Sequence, residues 1–95
     1  MAKYRLTFRA KEDLRCIYLY GLESFGEQQA DKYQKNLVVS FDRIARNPYM
    51  YQSIVNIRKG YRRCVCGMDS IFYQIVDNDI VEIVAILGRQ DAEEI

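Results

Sequence analysis

At 95 residues the chain has room for one domain, residues 1–95, and 49% apolar with 28% charged residues and a single proline describe an ordered core rather than a disordered tail. Its longest apolar run falls well short of the ~20 residues of a membrane helix and the N-terminus leads into no signal-peptide core, so a cytoplasmic protein without a membrane partner is expected. The net charge of +1 is small, and the absence of histidine, of a metal-ligand cluster and of a phosphate-cradling glycine loop nominates no metal, cofactor or ready-made catalytic centre.

Residues 3–8 alternate, with Tyr4, Leu6 and Phe8 on one face and Lys3, Arg5 and Thr7 on the other, the pattern of a half-buried strand. A helix is predicted from about residue 10 to 24, where Leu14, Ile17, Tyr18, Leu22 and Phe25 recur at three- and four-residue steps. Glu12 and Asp13 sit where the positive end of its dipole favours acids. Gly21 lies inside that stripe at a cost of about 1 kcal/mol relative to alanine, either to admit a neighbouring helix closely or as a tolerated defect. Gly26 breaks the pattern. Ala30, Tyr33, Leu37, Phe41 and Ile44 then trace a second helix that Asn47-Pro48 stops. The two make an antiparallel hairpin whose apolar faces need a cover.

The remaining sequence supplies one. Short strands are predicted at 58–59, 62–66, 70–76 and 80–87, with turns at Gly60-Tyr61, Gly67-Met68-Asp69 and Asp77-Asn78-Asp79. In the last strand Val81, Ile83, Ala85 and Leu87 face one way and Ile80, Glu82, Val84 and Ile86 the other, and apolar residues on both faces mark a central strand. The predicted class is α+β: an N-terminal strand, an antiparallel helical hairpin, then a small antiparallel sheet onto which the first strand pairs back. The loop Tyr49-Met50-Tyr51, if its aromatics are exposed, suggests a partner surface; tyrosines in a chain without tryptophan are more often core or rim residues.

Charge is unevenly spread. Residues 1–42 carry seven bases and six acids, 43–68 six bases and no acid, and 69–95 one base and seven acids. The middle segment could meet a partner's carboxylates or phosphates through Arg43, Arg46, Arg58, Lys59, Arg62 and Arg63, or the acidic last third could fold beside it and neutralise it. Of Arg62 and Arg63, adjacent on a strand, one faces solvent and the other the helix side. Cys16, Cys64 and Cys66 read as small hydrophobes rather than a disulfide framework or a metal site.

Gly60 and Arg62, then Gly67, Ile71-Phe72-Tyr73, Ile86-Leu87, and a closing Arg89 and Asp91 follow one another in an order that resembles the ParE branch of the RelE/ParE toxin superfamily. Ala10, Asp13-Leu14 and Ile17, then Phe25-Gly26, Gln29-Ala30, Tyr33 and Asn47-Pro48 extend the resemblance over nearly the whole chain. One departure is that Leu87 runs straight into Gly88-Arg89, where members of the family commonly carry a histidine.

The resemblance implies a toxin of a type II toxin–antitoxin pair that inhibits DNA gyrase without catalytic residues or cofactor. A ParD-like antitoxin of ribbon-helix-helix type would neutralise it, and DNA would be bound only through that partner. On that reading the basic corner is expected to be the target-binding surface, with Arg58, Lys59, Gly60, Tyr61, Arg62, Arg63 and Arg89. Antitoxin contact is expected on a groove between helices and sheet and on the first strand with Tyr4, Leu6 and Phe8. The sister branch offers a RelE-like ribosome-dependent mRNA endoribonuclease, with Tyr61 or Tyr73 donating a proton and the arginines holding phosphate. The acidic tail from Asp91 opposes it, and an inactive relative that only binds antitoxin is a third reading.

Overall fold

The structure is a computed structural model that describes residues 3–54, 58–77 and 80–88. In chain order it contains β1 (Tyr4–Leu6), α1 (Phe8–Phe25), α2 (Glu27–Arg46), β2 (Gln52–Ser53), β3 (Tyr61–Cys66), β4 (Asp69–Val76) and β5 (Ile80–Gly88). The five strands form one sheet in the order β1-β5-β4-β3-β2, with the helical hairpin on one face. Neighbours from β2 to β5 are antiparallel, and β1 returns to pair parallel with β5. The α+β architecture is therefore the predicted one, with a mixed sheet.

Thr7 ends the first strand sooner than its alternation suggested. Its Oγ1 accepts the Ala10 N–H at 3.1 Å and donates to the Val84 carbonyl at 2.8 Å, while its own N–H reaches the Ile83 carbonyl at 3.0 Å. A hydroxyl that caps a helix outweighs one more residue of strand pattern. Phe8 consequently opens α1 and is 81% exposed, instead of continuing the inward face of Tyr4 and Leu6.

Gly26 alone separates the helices. It stands at φ +90°, its N–H closing α1 onto the Leu22 carbonyl and its carbonyl accepting from Ala30 of α2. Gly21 does admit a close neighbour, since a Cβ there would stand 3.2 Å from the Ala30 Cβ. Leu37, Phe41 and Ile44 of α2 are buried against Ile71, Tyr73, Val81, Ile83 and Ile86 of the sheet.

The straight alternation expected of the last strand does not hold. The β4–β5 register passes from Phe72↔Ala85 to Tyr73↔Ile83, leaving Val84 as an extra residue. Such a bulge inverts the side chains beyond it. Val81 and Ile83 face the helices and so does Ile86, whereas Leu87 joins Phe72, Ile54 and Tyr61 in a second cluster on the opposite face. Helix α1 satisfies the backbone that the bulge releases: Thr7 takes the Val84 carbonyl, and Asp13 Oδ2 accepts the Ile86 N–H at 3.0 Å. Asp13 thus serves the sheet, not the first turn of a helix that begins five residues earlier.

Two smaller differences lie nearby. The strand predicted at 58–59 is part of a turn, and the edge strand is Gln52–Ser53, two exposed polar residues that carry no periodic signal. Of the predicted Asp77-Asn78-Asp79 turn, residues 78 and 79 lie outside the described residues.

Removing the acceptor from Asp13 tests the bulge. Asp13→Ala should lose about 1–3 kcal/mol in urea denaturation, the cost of an unpartnered buried N–H, and Asp13→Asn much less. Equal losses would assign the effect to the 3.6 Å ion pair with Arg9 instead.

Candidate binding surfaces

The basic turn begins where the chain leaves the far-face cluster. Arg58 N–H donates to the Ile54 carbonyl at 2.8 Å, and Tyr61 N–H to the Arg58 carbonyl at 3.2 Å. Gly60 turns the corner at φ +86° with nothing within 4 Å of where a Cβ would stand, so its requirement is conformational. Arg58, Lys59 and Gly60 are exposed, and the Arg58 guanidinium lies 5.6 Å from the centre of the Tyr61 ring.

Strand alternation then divides the two arginines. Arg63 pairs with Phe72 and shares the far face with Tyr61, while Arg62 pairs with Tyr73 on the helix side. Arg62 Nη1 donates to the Tyr51 carbonyl at 2.8 Å and approaches the Tyr49 carbonyl at 3.5 Å. Its guanidinium also lies 5.3 Å from the centre of the Tyr49 ring. Arg62 is therefore a clamp on the loop after α2. The sequence had grouped it with the contact residues; the structure brings Arg58, Lys59, Gly60, Tyr61 and Arg63 together and turns Arg62 away from them. Arg89 lies outside the described residues.

Of the acidic last third, the described carboxylates are Asp69, Asp77 and Glu82, and among the described residues neither Lys59 nor Arg63 meets a carboxylate. Arg46, at the end of α2, does pair with Asp42, at 2.9 Å. Tyr73, one of two phenols considered for proton donation, is fully buried and donates to the Pro48 carbonyl at 2.7 Å. Burial pushes its phenol well above the ordinary range, so it is not an accessible acid.

A second surface lies at the other end of β3. A groove of about 800 Å³ runs between α1, α2 and the β3–β4 turn, with Ile17, Gly21, Ala30 and Tyr33 among its lining residues. Tyr20, Phe25 and Met68 also line it and are 64%, 65% and 74% exposed. The small residues Gly21 and Ala30 leave the space open. Below it, the Tyr33 hydroxyl lies 2.6 Å from Asp69 Oδ2 and 3.0 Å from the Cys66 carbonyl, and accepts the Met68 N–H at 3.2 Å. Burial and the Asp69 carboxylate push this phenol up.

The first-strand residues expected to meet a partner are not part of that groove. Tyr4 and Leu6 pack into the core, with Tyr4 tilted against Phe41 at 5.6 Å between ring centres. Phe8 is open to solvent. Tyr20, Phe25 and Met68 come from separate segments, so no local pattern groups them; the signal the sequence carries is Gly21 and Ala30, small residues in the two apolar helix stripes. Cys16 is exposed, Cys66 half-buried and Cys64 buried, all as free thiols, and burial pushes the Cys64 thiol up. Among the described residues no His, Cys, Asp or Glu side chains are grouped to hold a metal ion.

Comparison with known proteins shows what the whole chain is similar to. Residues 4–93 match the family model described as the ParE toxin of the type II toxin–antitoxin system parDE. The chain is 40% identical over 89 residues to Toxin ParE1 of Caulobacter vibrioides, covering 94% of this chain and 91% of that protein. It is 29% identical to Toxin ParE1 of Mycobacterium tuberculosis with the same coverage. Among solved structures, the chromosomal ParDE TA system from P. aeruginosa superposes with a TM-score of 0.79 at 19% identity, covering 93% of this chain and 96% of that one. HP0894 from Helicobacter pylori does so with a TM-score of 0.61 at 14% identity, covering 95% and 97%. At these identities the structural likenesses concern the fold.

The two turn glycines should respond differently to alanine. At Gly67, φ is +59° and a Cβ would stand 2.7 Å from Tyr33 Cε1, so Gly67→Ala adds a clash with an anchored ring to backbone strain. A loss of about 2–4 kcal/mol is expected in thermal or urea unfolding, against about 1–2 kcal/mol for Gly60→Ala.

Proposed function

Because the chain belongs to the ParE toxin family of type II toxin–antitoxin systems, we propose that it inhibits DNA gyrase and is neutralised by a ParD-like antitoxin of ribbon-helix-helix type. The observation that carries the reading is the turn at 58–63, where Lys59 and Arg63 hold their charges clear of any carboxylate among the described residues. A cationic corner on a rigid sheet favours docking against an acidic or DNA-bound surface and steers the approach to it. Inhibition of this kind asks for a surface rather than for a catalytic group, and the burial of Tyr73 weakens the case for RNA cleavage. The toxin works in the cytoplasm on this reading, and DNA is reached through the antitoxin. No described helix is long and apolar enough to cross a membrane.

Antitoxin contact falls, on the same reading, in the groove between the helices and the β3–β4 turn, into which an amphipathic segment can lay its apolar face. Of the first-strand residues, Phe8 offers a side chain to such a partner. Tyr4 and Leu6 are half-buried against the core and offer chiefly the backbone of an edge strand.

Purified, antitoxin-free protein should abolish supercoiling by DNA gyrase and accumulate cleaved plasmid. Lys59→Glu with Arg63→Glu should raise the concentration for half-inhibition by about tenfold or more, equivalent to at least ~1.4 kcal/mol. Arg62 is left intact in this test because reversing it would also release the loop it clamps. Full activity of the double variant would remove the basic turn from the target surface, and an inert but folded wild type would direct the search to ribosome-dependent mRNA cleavage. Tyr20→Glu with Met68→Glu should weaken antitoxin binding by about tenfold or more while sparing gyrase inhibition. Unchanged antitoxin affinity would place the partner elsewhere.

A further inference from the structure

The loop between α2 and β2 is held in place from several sides, yet it turns Tyr49 and Met50 outward. Tyr73 donates to the Pro48 carbonyl at 2.7 Å, Arg62 to the Tyr51 carbonyl at 2.8 Å, and Met50 N–H to the Asn47 carbonyl at 3.1 Å. Tyr51 packs inward, edge-on to Tyr73 at 6.5 Å between ring centres. Tyr49 and Met50 are left 65% and 64% exposed, and the Arg62 guanidinium supports the Tyr49 ring. A loop so restrained has met its ordering cost during folding, so little is left to lose on binding.

Residue type and charge then indicate what it fits. Tyrosine and methionine are enriched at the centres of protein interfaces, where they fill desolvated pockets. Around the tip, Arg43 is exposed in the last turn of α2 and the Arg62 guanidinium lies behind Tyr49, while Arg46 is paired with Asp42. A second copy of this chain would bring like charges together across a two-fold axis, which disfavours self-association here.

We propose that Tyr49 and Met50 form the anchor that seats in an apolar, acid-rimmed pocket of the target enzyme, with Arg62 as the positioning residue that holds the anchor in place. The proposal rests on the reading of this chain as a gyrase inhibitor and adds to the basic turn a second, apolar contact. Arg62 then acts through the loop, by its Nη1 on the loop carbonyls and its planar guanidinium against the Tyr49 ring.

The test compares variants of the full chain for gyrase inhibition, antitoxin affinity and thermal midpoint. Tyr49→Ala with Met50→Ala should raise the half-inhibitory concentration about 30-fold, the scale of an interface hot spot, with affinity for antitoxin and midpoint unchanged. Tyr49→Phe and Met50→Leu should stay within about threefold of wild type, because shape and apolarity are retained. Arg62→Lys, which keeps the charge and loses the planar guanidinium against Tyr49, should weaken inhibition about tenfold, and much less when Tyr49 and Met50 are already alanine. Wild-type inhibition by the double alanine variant overturns the anchor while leaving the gyrase reading intact. A folded, antitoxin-binding wild type that leaves gyrase untouched removes that reading and the anchor with it. Binding of a single-stranded oligonucleotide that depends on Tyr49 and Met50, with no change in gyrase inhibition, would reassign the tip to nucleic acid and also overturn the proposal.

Discussion

The surplus residue Val84 is the constraint on which the arrangement depends. A strand that alternated without interruption would send Ile86 away from the helices on which Val81 and Ile83 pack, and would turn Leu87 toward them. The bulge reverses that and gives each face of the sheet its own apolar cluster. It also sets free backbone groups that α1 collects, through Thr7 at its cap and Asp13 a turn and a half later. The helix is thereby fastened to a particular point on β5. From that point the hairpin, the groove beside it and the position of α2 over the sheet all follow.

Strand β3 connects the two candidate surfaces. Tyr61 begins it at the basic turn and Cys66 ends it beside Gly67 and Met68 at the groove. Five steps of about 3.3 Å put roughly 17 Å between them. A partner laid in the groove and a target docked at the basic turn would therefore meet different ends of one strand. Neutralisation would then need an antitoxin long enough to shield both ends, or one that bars the target by its bulk.

Two hydrogen-bonded tyrosines hold these ends in shape. Tyr33 fastens α2 to the β3–β4 turn, where Gly67 has no room for a side chain, and Tyr73 fastens the loop after α2 to the sheet. Both phenols are bonded, Tyr73 fully buried and Tyr33 half-buried, which costs less than withdrawing them from water unpaired. The chain thus spends its tyrosines largely on scaffold. Tyr49 is the exposed member of the loop's aromatic pair, with a cation behind it.

Much was legible from local pattern. The stripe Ala30, Tyr33, Leu37, Phe41 and Ile44 declared α2 because period 3.6 repeats within one element, and Gly67 between two β-rich runs declared the hairpin of β3 and β4. The six bases from Arg43 to Arg63 pointed to a binding surface, and the motifs in order from Ala10 to Pro48 and from Gly60 to Asp91 pointed, by resemblance, to the family. What the tertiary structure decided were the competitions between residues far apart in the chain. Phe8 belongs to a helix because Thr7 finds Val84. Asp13 serves the sheet because Ile86 lacks a partner, and Arg62 faces the loop because carbonyls of residues 49 and 51 lie within its reach. The groove, too, exists only once Gly21 meets Ala30 and Met68 comes round to Tyr33. Periodicity reports which face of an element is apolar; which distant polar group completes its hydrogen bonds is settled only when the elements are packed together.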